Sequence, residues 1–400
     1  MNPSDMDPRQ ARSRLVERLT PVPSETLPLS DAAGRVLAEA VATDRDSPPH
    51  DVSAMDGYAV RLADLGPARL PIGGEVAMGA EPPELPPGQV LRIMTGGCVP
   101  AAAEAIVMRE DVDEGQGAVS LRIDPASVRP GQHIRRRGEN LARGSEVVAA
   151  GTAIGPHVAG ALGAFGCARP RVHRRVAVAV VVTGDELLDV DAAPSPWQIR
   201  DSNGPALQTL LAGLPWVETV SVTRARDERE PLQARIGSAL ECADLVFVTG
   251  GVSMGVHDHV PDVVRACGGE VLFHRLPIRP GKPLLGAVGP AGQAILGLPG
   301  NPVSVVVGAR WFGTAALRQL GGLPPEPEPF AVRIDDLGPT RLGLWWFRPV
   351  RLVGSAWAEL VPSKGSGDLV SAARSDGFVL TPPKAEGPGP WPFVPWHLGG

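Results

Sequence analysis

The stretch Leu245–Val260 reads LVFVTGGVSMGVHDHV. Four apolar residues, Leu245–Val248, run into Thr249, Gly250 and Gly251. A short apolar run bounded by turn residues is the pattern of a strand buried on both faces of a sheet. Beyond the glycines come Ser253, Gly255 and one acid, Asp258, between His257 and His259. Glycine lets backbone approach a ligand closely, so the stretch has the form of a strand that ends at a binding loop.

The neighbourhood of this strand decides the fold class. Val176–Val182 is a continuous β-branched run. After it the pattern alternates between helical and extended segments. Helices are expected near Pro205–Leu214, Pro231–Cys242 and Val260–Ala266, and strands near Val217–Val222, Glu270–Phe273, Pro283–Ala287 and Ala294–Leu298. The last strand passes through GLPGNP into a helix opening at Asn301-Pro302. This alternation predicts a doubly wound, three-layer α/β domain. The texture differs on either side of it. Residues 43–148 show short apolar runs between Gly, Pro and acidic turns, which predicts a β module. A helix is expected over Gly155–Phe165. Strands return after GGLPPEPEP, and the Pro- and Trp-rich end of the chain has no evident place. At the start, Asp7-Pro8 with Gln10 predicts a capped helix, and Ser30-Asp31 with Ala32, Val36, Leu37 and Val41 predicts a second one.

Composition narrows the function classes. The chain has 400 residues, 43% hydrophobic and 4% aromatic, with a formal net charge of −6. Such a balance argues against general nucleic-acid binding. Arg135–Arg137 and Arg171–Arg175 read as solvated charge between elements. The four cysteines lie far apart with no CxxC pair, against zinc or a disulfide framework. No long uncharged apolar run and no apolar leader are present, so a soluble cytoplasmic protein is expected.

In open parallel sheets, ligands bind beyond the carboxyl ends of the strands. Three strand ends carry loaded loops: TGDEL with Asp185 and Glu186, TGGVSMGVHD with Asp258, and GLPGNPVS. The helix at Asn301-Pro302 offers free N–H groups to an anion. RLPIRPGKP adds Arg275, Arg279 and Lys282. Acids and bases around one sheet edge suit a phosphate ester held with Mg²⁺. Each motif taken singly has a plainer reading. GGVSMG matches neither dinucleotide nor Walker spacing, Asp185-Glu186 can cap a helix, and Asp56-Gly57 in SAMDGYAV can turn a hairpin. His257-Asp258-His259 has the look of a metal triplet, but a carboxylate-bound Mg²⁺ is the stronger expectation.

Taken in order and spacing, PPHDVSAMDGYAV, RIMTGGCVPAAAEAIVMRED, HIRRRGENLARGSEV, VVVTGDEL, VTGGVSMGVHDHV, RPGKPLLG and LGLPGNPVSV resemble the molybdopterin molybdenumtransferases. The C-terminal domain of gephyrin is similar too. The resemblance implies an elongated homodimer. Its subunit would have an α/β molybdopterin-binding domain (1–21 and 173–322), a linking domain (22–42 and 140–172), an inserted β module (43–139) and a C-terminal β-barrel domain (325–400). It further implies insertion of molybdate into adenylylated molybdopterin with Mg²⁺, releasing AMP and molybdenum cofactor. The implied site lies between subunits. Asp56 and Thr95 would come from the partner subunit. Asp185, Glu186, Asp227 and Asp258 would serve as metal-binding and acid/base groups. Gly250, Gly251 and Ser253 would hold phosphate, and Arg275, Arg279 and Lys282 the anionic substrate. Pro299 and Pro302 would shape the last loop, with Ser366 as a further substrate contact. A molybdopterin adenylyltransferase and molybdoenzyme maturation factors are implied partners. Departures stand out: Arg275 and Arg279 replace common lysines, Val52 a common Asn, and His259 a common Tyr. Two other functions stay open, a molybdopterin adenylyltransferase and a non-catalytic gephyrin-like scaffold.

Overall fold

All eight residues of Val176–Thr183 are buried in the computed structural model, which describes residues 6–253 and 258–397. This strand, β1, lies inside a six-stranded sheet. The chain continues through α1 (Asn203–Ala212), β2 (Val217–Ala225), α2 (Arg229–Cys242), β3 (Leu245–Thr249) and α3 (Val260–Ala266). It then forms β4 (Glu270–His274), β5 (Leu285–Val288), β6 (Ala294–Leu298) and α4 (Pro302–Gly308). The strand order is β2-β1-β3-β6-β5-β4.

Alternate side chains explain the layers. Val178, Val180, Leu245 and Phe247 join one core, with Leu207 and Leu211 of α1 and with Ala11 and Leu15 of an N-terminal helix, Pro8–Val16. Ala179, Val181, Val246 and Val248 join the other, with Ile236 of α2 and Val263 of α3. Helices therefore cover both faces, as a sheet of uninterrupted Val and Leu requires. The sheet is not wholly parallel. β2, β1, β3 and β6 run parallel, but β5 is antiparallel to both β6 and β4. Only Gly289–Gln293 separates β5 from β6, closed by the Gly289 N–H to the Gln293 carbonyl at 2.7 Å. So tight a link cannot carry a parallel crossover.

The expected helix after Ser30 does not form. A single 3-10 turn at Leu29–Asp31 is followed by Gly34 at φ +71°. Val36 and Leu37 then make isolated antiparallel bridges to Ala153 and Val172. Ala32, Val36 and Leu37 are buried, so the apolar spacing was real but belongs to extended chain. The first helix does form, with the Asp7 carboxylate accepting from the Arg9 N–H at 2.7 Å.

The chain divides into two compact units. Among the described residues, one takes in those up to Glu39, Ala150–Ala159 and those from Arg169 onward; the other is Ala40–Ala149 with Gly160–Ala168. The second unit holds its own six-stranded sheet, in the order Ala105–Met108, Gly57–Val60, Val90–Ile93, Leu70–Glu75, Ala118–Leu121, Val112–Gly115. Gly57–Val60 pairs with two strands distant in sequence, so Asp56-Gly57 is not a hairpin turn.

In the first unit, a C-terminal sheet runs Ile278–Arg279, Trp345–Leu352, Gly377–Thr381, Trp391–Pro395, Ala331–Val332. The Pro- and Trp-rich end thus supplies a strand, Trp391–Pro395, paired with Gly377–Val379. Phe347, Phe378 and Val394 share the core of β1 and β3. No described helix is long and apolar enough to cross a membrane.

Phe247 is fully buried on β3. Phe247→Ala should lower stability by about 3–5 kcal/mol, because the surroundings cannot close on the lost ring. A urea midpoint shift for this unit checks it.

Candidate functional site

Four parallel strands deliver their carboxyl ends to one edge, and three of them leave through the loops named above. β1 ends at Thr183 and Gly184, then Asp185 and Glu186, both exposed. β2 ends before Asp227, β3 before Gly250, and β6 before Pro299.

The close approach of β1 and β3 explains the glycine. Gly250 has φ +89°, and a Cβ there would lie 2.4 Å from Thr183 Oγ1. Its N–H donates to the Leu298 carbonyl at 2.9 Å. Gly250 therefore supplies space rather than a donor to a phosphate, which corrects one expected role. Gly251 follows at φ +60°. Thr183 Oγ1, Thr249 Oγ1 and Asn203 Oδ1 are buried without a hydrogen-bond partner among the described residues. Asn203 also donates through Nδ2 to the Gly300 carbonyl at 2.9 Å. Buried polar atoms rarely stay unpaired, so two at the ends of these strands and one at the start of α1 mark an edge built to receive polar groups. Asn203 follows Asp201, whose carboxylate accepts from the N–H groups of Asn203 and Gly204. Neither residue was identified from sequence, although RDSNGP precedes α1.

A cavity of about 690 Å³ opens in the first unit. Gly251, Ser253, Asp258, Arg279, Lys282, Pro299 and Ser366 all line it, as expected. Gly250, Arg275, Pro302, Asp185, Glu186 and Asp227 do not. Arg275 holds φ +66°, a costly conformation for a residue with a side chain, and its N–H donates to the Leu284 carbonyl at 3.0 Å. The opening of α4 is less free than anticipated. Its Val303 N–H is taken by the Ser366 carbonyl at 3.0 Å. That bond instead brings the Ser366 loop to the cavity rim. His257 and Gly255 lie outside the described residues. His274 Nε2 donates to the Val252 carbonyl at 2.9 Å and steadies the loop from below.

Two lining residues escaped sequence reasoning. Ile278–Arg279 pairs in parallel with Trp345–Trp346, so Arg279 stands opposite Trp346. The guanidinium carbons of Arg279 and Arg348 lie 5.0 Å and 4.3 Å from the Trp346 ring centre. Arg348 also donates to the Leu337 carbonyl at 2.7 Å. Burial first, and then the charge of Arg341, pull its guanidinium below the usual arginine range. The described lining thus carries three cations, Arg279, Lys282 and Arg348, against one carboxylate, Asp258. Such a wall attracts an anionic ligand.

Asp56 and Thr95 belong to the other unit. The Asp56 carboxylate accepts from both the Thr95 N–H and its hydroxyl at 2.7 Å. It lines a small cavity of about 220 Å³ with Arg92 and Arg109. The Thr95 N–H, then its hydroxyl, hold Asp56 below the ordinary carboxylate range. The basic run beside it is paired: Arg136 with Asp51 and Arg137 with Asp46, each at 2.6 Å. Among the described residues no three His, Cys, Asp or Glu side chains group closely enough to hold a metal ion by themselves.

Comparison with known proteins followed these features. Residues 6–166 match the family described as MoeA N-terminal region (domain I and II), and residues 179–319 match the one described as Probable molybdopterin binding domain. The molybdopterin molybdenumtransferase of Nostoc sp. is 33% identical over 376 residues, spanning 90% of this chain and 85% of the relative. The molybdopterin molybdenumtransferase of Staphylococcus aureus (strain MRSA252) is 30% identical over 390 residues, spanning 95% and 92%. The crystal structure of a molybdopterin biosynthesis MoeA protein from Pyrococcus horikoshii OT3 superposes with a TM-score of 0.81 at 27% identity, covering 98% of this chain and 99% of that one.

Thr95→Val removes the hydroxyl donor and leaves the N–H. The Asp56 carboxyl should move up toward its ordinary value, seen in an NMR pH titration. Because folding depresses this group, its favourable contribution is present above its unfolded value and is lost as pH falls through the folded one. In the variant that loss should be smaller and should be complete at higher pH. An unmoved titration would show that the N–H alone sets the shift.

Proposed function

The chain belongs to the molybdopterin molybdenumtransferase family, and from that premise we propose that it inserts molybdenum from molybdate into adenylylated molybdopterin. Water cleaves the phosphoanhydride in the same cycle, releasing AMP and finished cofactor. The observation that carries this reading is the 690 Å³ cavity, where three cations face one carboxylate beside the glycine loop of β3.

Roles follow from chemistry and position. Arg279, Lys282 and Arg348 bind the anionic oxygens, and Arg suits them through paired N–H forks. The Gly251 backbone and the Ser253 hydroxyl donate to phosphate. Pro299 and Ser366 shape and line the rim, with Pro302 setting the start of α4. Arg275 supplies long-range positive charge behind the cavity. Glu186 and Asp227, at the same sheet edge, are acid/base candidates for the attacking water.

Magnesium fits the donor set. Asp185, Glu186 and Asp258 offer hard carboxylate oxygens, of which Asp258 lines the cavity. Mg²⁺ is commonly held by one or two carboxylates plus substrate phosphates, so it needs no closed protein cluster. When bound it would neutralise charge on the phosphoanhydride.

The architecture proposed is a homodimer of four-domain subunits, each with an α/β domain, a linking domain, an inserted β module and a C-terminal barrel. Asp56 and Thr95 of the partner subunit complete each site. A cytoplasmic setting accords with four cysteines spread far apart in the sequence with no CxxC pair. A molybdopterin adenylyltransferase would supply the substrate, and molybdoenzyme maturation factors would take the product.

Asp258→Asn should keep fold and dimer but cut Mg²⁺-dependent AMP release at least a hundredfold. Near-normal release would remove Asp258 from the site. Mixing Asp56→Asn with Asp258→Asn subunits should restore about one working site per mixed dimer. No recovery after demonstrated subunit exchange would contradict a shared site.

A further inference from the structure

We infer that Trp346 is a positioning residue: its indole holds the guanidiniums of Arg279 and Arg348 together, so that both present their forks to one tetrahedral oxyanion. The inference rests on the proposed reading of the cavity. It goes beyond that reading by assigning the anion geometry to an aromatic side chain that touches no reacting atom.

The register places the three groups. Arg279 is the cross-strand partner of Trp346, and Arg348 lies two residues further along the same strand. Residues so related share one face of a sheet. The guanidinium carbons stand 5.0 Å and 4.3 Å from the ring centre, inside the range of cation–π attraction. All three side chains line the same cavity.

Among the described residues, the Trp346 ring is the one group that holds the Arg279 guanidinium. Among the described residues its guanidinium has no carboxylate within ion-pair reach and no hydrogen-bond partner. Arg348 has one bond, to the Leu337 carbonyl, and likewise no carboxylate. An arginine side chain left free carries rotamer entropy, which a ligand would have to remove on binding. The indole removes much of it beforehand. It also presents a negative face to two cations that otherwise repel each other. Pairing either with a carboxylate would fix its position too, but would use the fork that the anion needs. An aromatic face orients the guanidinium and leaves its N–H groups unspent.

The same pairing accounts for arginine at position 279, where the resembled family commonly has lysine. Guanidinium is planar and stacks on an indole, whereas ammonium is a compact, strongly hydrated charge. Arg279 and Trp346 are therefore read as one unit.

The ligand chemistry is a tetrahedral oxyanion, supplied either by molybdate or by the phosphate of the adenylate. Calorimetric titrations with molybdate alone and with AMP alone distinguish the sources, run on the full chain and on Trp346→Leu and Trp346→Phe. Trp346→Leu should weaken at least one ligand about tenfold, and the ligand affected names the source. Trp346→Phe, which keeps a ring, should stay within about threefold of the parent. In the Trp346→Leu background, Arg279→Lys should add little further loss, because the ring that rewards arginine is gone. Parent-like affinity of Trp346→Leu for both ligands overturns the inference while leaving the proposed function standing. A parent chain that binds neither ligand and releases no AMP overturns the proposed function and this inference with it. Should Trp346→Leu fail to fold, Trp346→Met, which also removes the ring, takes its place and is combined with Arg279→Lys. A non-additive loss is then expected, and strict additivity overturns the inference.

Discussion

There is no room for a side chain where β3 ends. A Cβ on Gly250 would sit 2.4 Å from Thr183 Oγ1 and 3.0 Å from the Thr183 carbonyl. Two buried parallel strands are in contact there, and the chain can turn out of the sheet only through glycine at positive φ. The consequence is local and chemical. The turn delivers Gly251, Ser253 and Asp258 to one cavity, while α3 restarts at Val260 and closes the second core. Among the described residues, it also leaves the hydroxyls of Thr183 and Thr249 buried without partners. A close packing contact of the sheet and two buried hydroxyls without partners among the described residues meet at the same edge.

The C-terminal sheet extends that edge. Ile278–Arg279 leaves the α/β sheet and pairs with Trp345–Trp346, while Phe347 and Phe378 pack into the core of β1 and β3. The Ser366 carbonyl meets the first free N–H of α4. The cavity wall is thus made by two sheets that share one hydrophobic core. Arg279 and Arg348 on that wall stand on paired strands against the Trp346 ring, and among the described residues neither is paired with an acid.

How far the sequence reveals this depends on whether a signal is local. β1, β3 and β6 are legible because a doubly covered strand has to be apolar throughout, and the run Val176–Val182 admits little else. The loops at their ends are legible because glycine, proline and acids cluster there. The Ser30–Val41 segment misleads because buried residues at irregular spacing in extended chain can imitate a helical face, and Gly34 at positive φ ends any helix. The antiparallel pairing of β5 was hidden, since direction is set by the length of a turn rather than by strand composition. Arg348 and Trp346 were invisible as site residues. In WWFRPVRLV they look like ordinary strand alternation, and only long-range pairing with Arg279 gives them a role. The last strand, Trp391–Pro395, was masked by its prolines, which read as breakers of a strand, although it pairs with a neighbour on each side.

The most direct test is AMP release from adenylylated molybdopterin by the full chain with Mg²⁺, compared with and without molybdate. The account predicts that molybdate stimulates release and that active molybdenum cofactor forms in proportion to AMP. Bound substrate with no release under either condition would contradict it, and would make the cavity a binding site rather than a site of insertion.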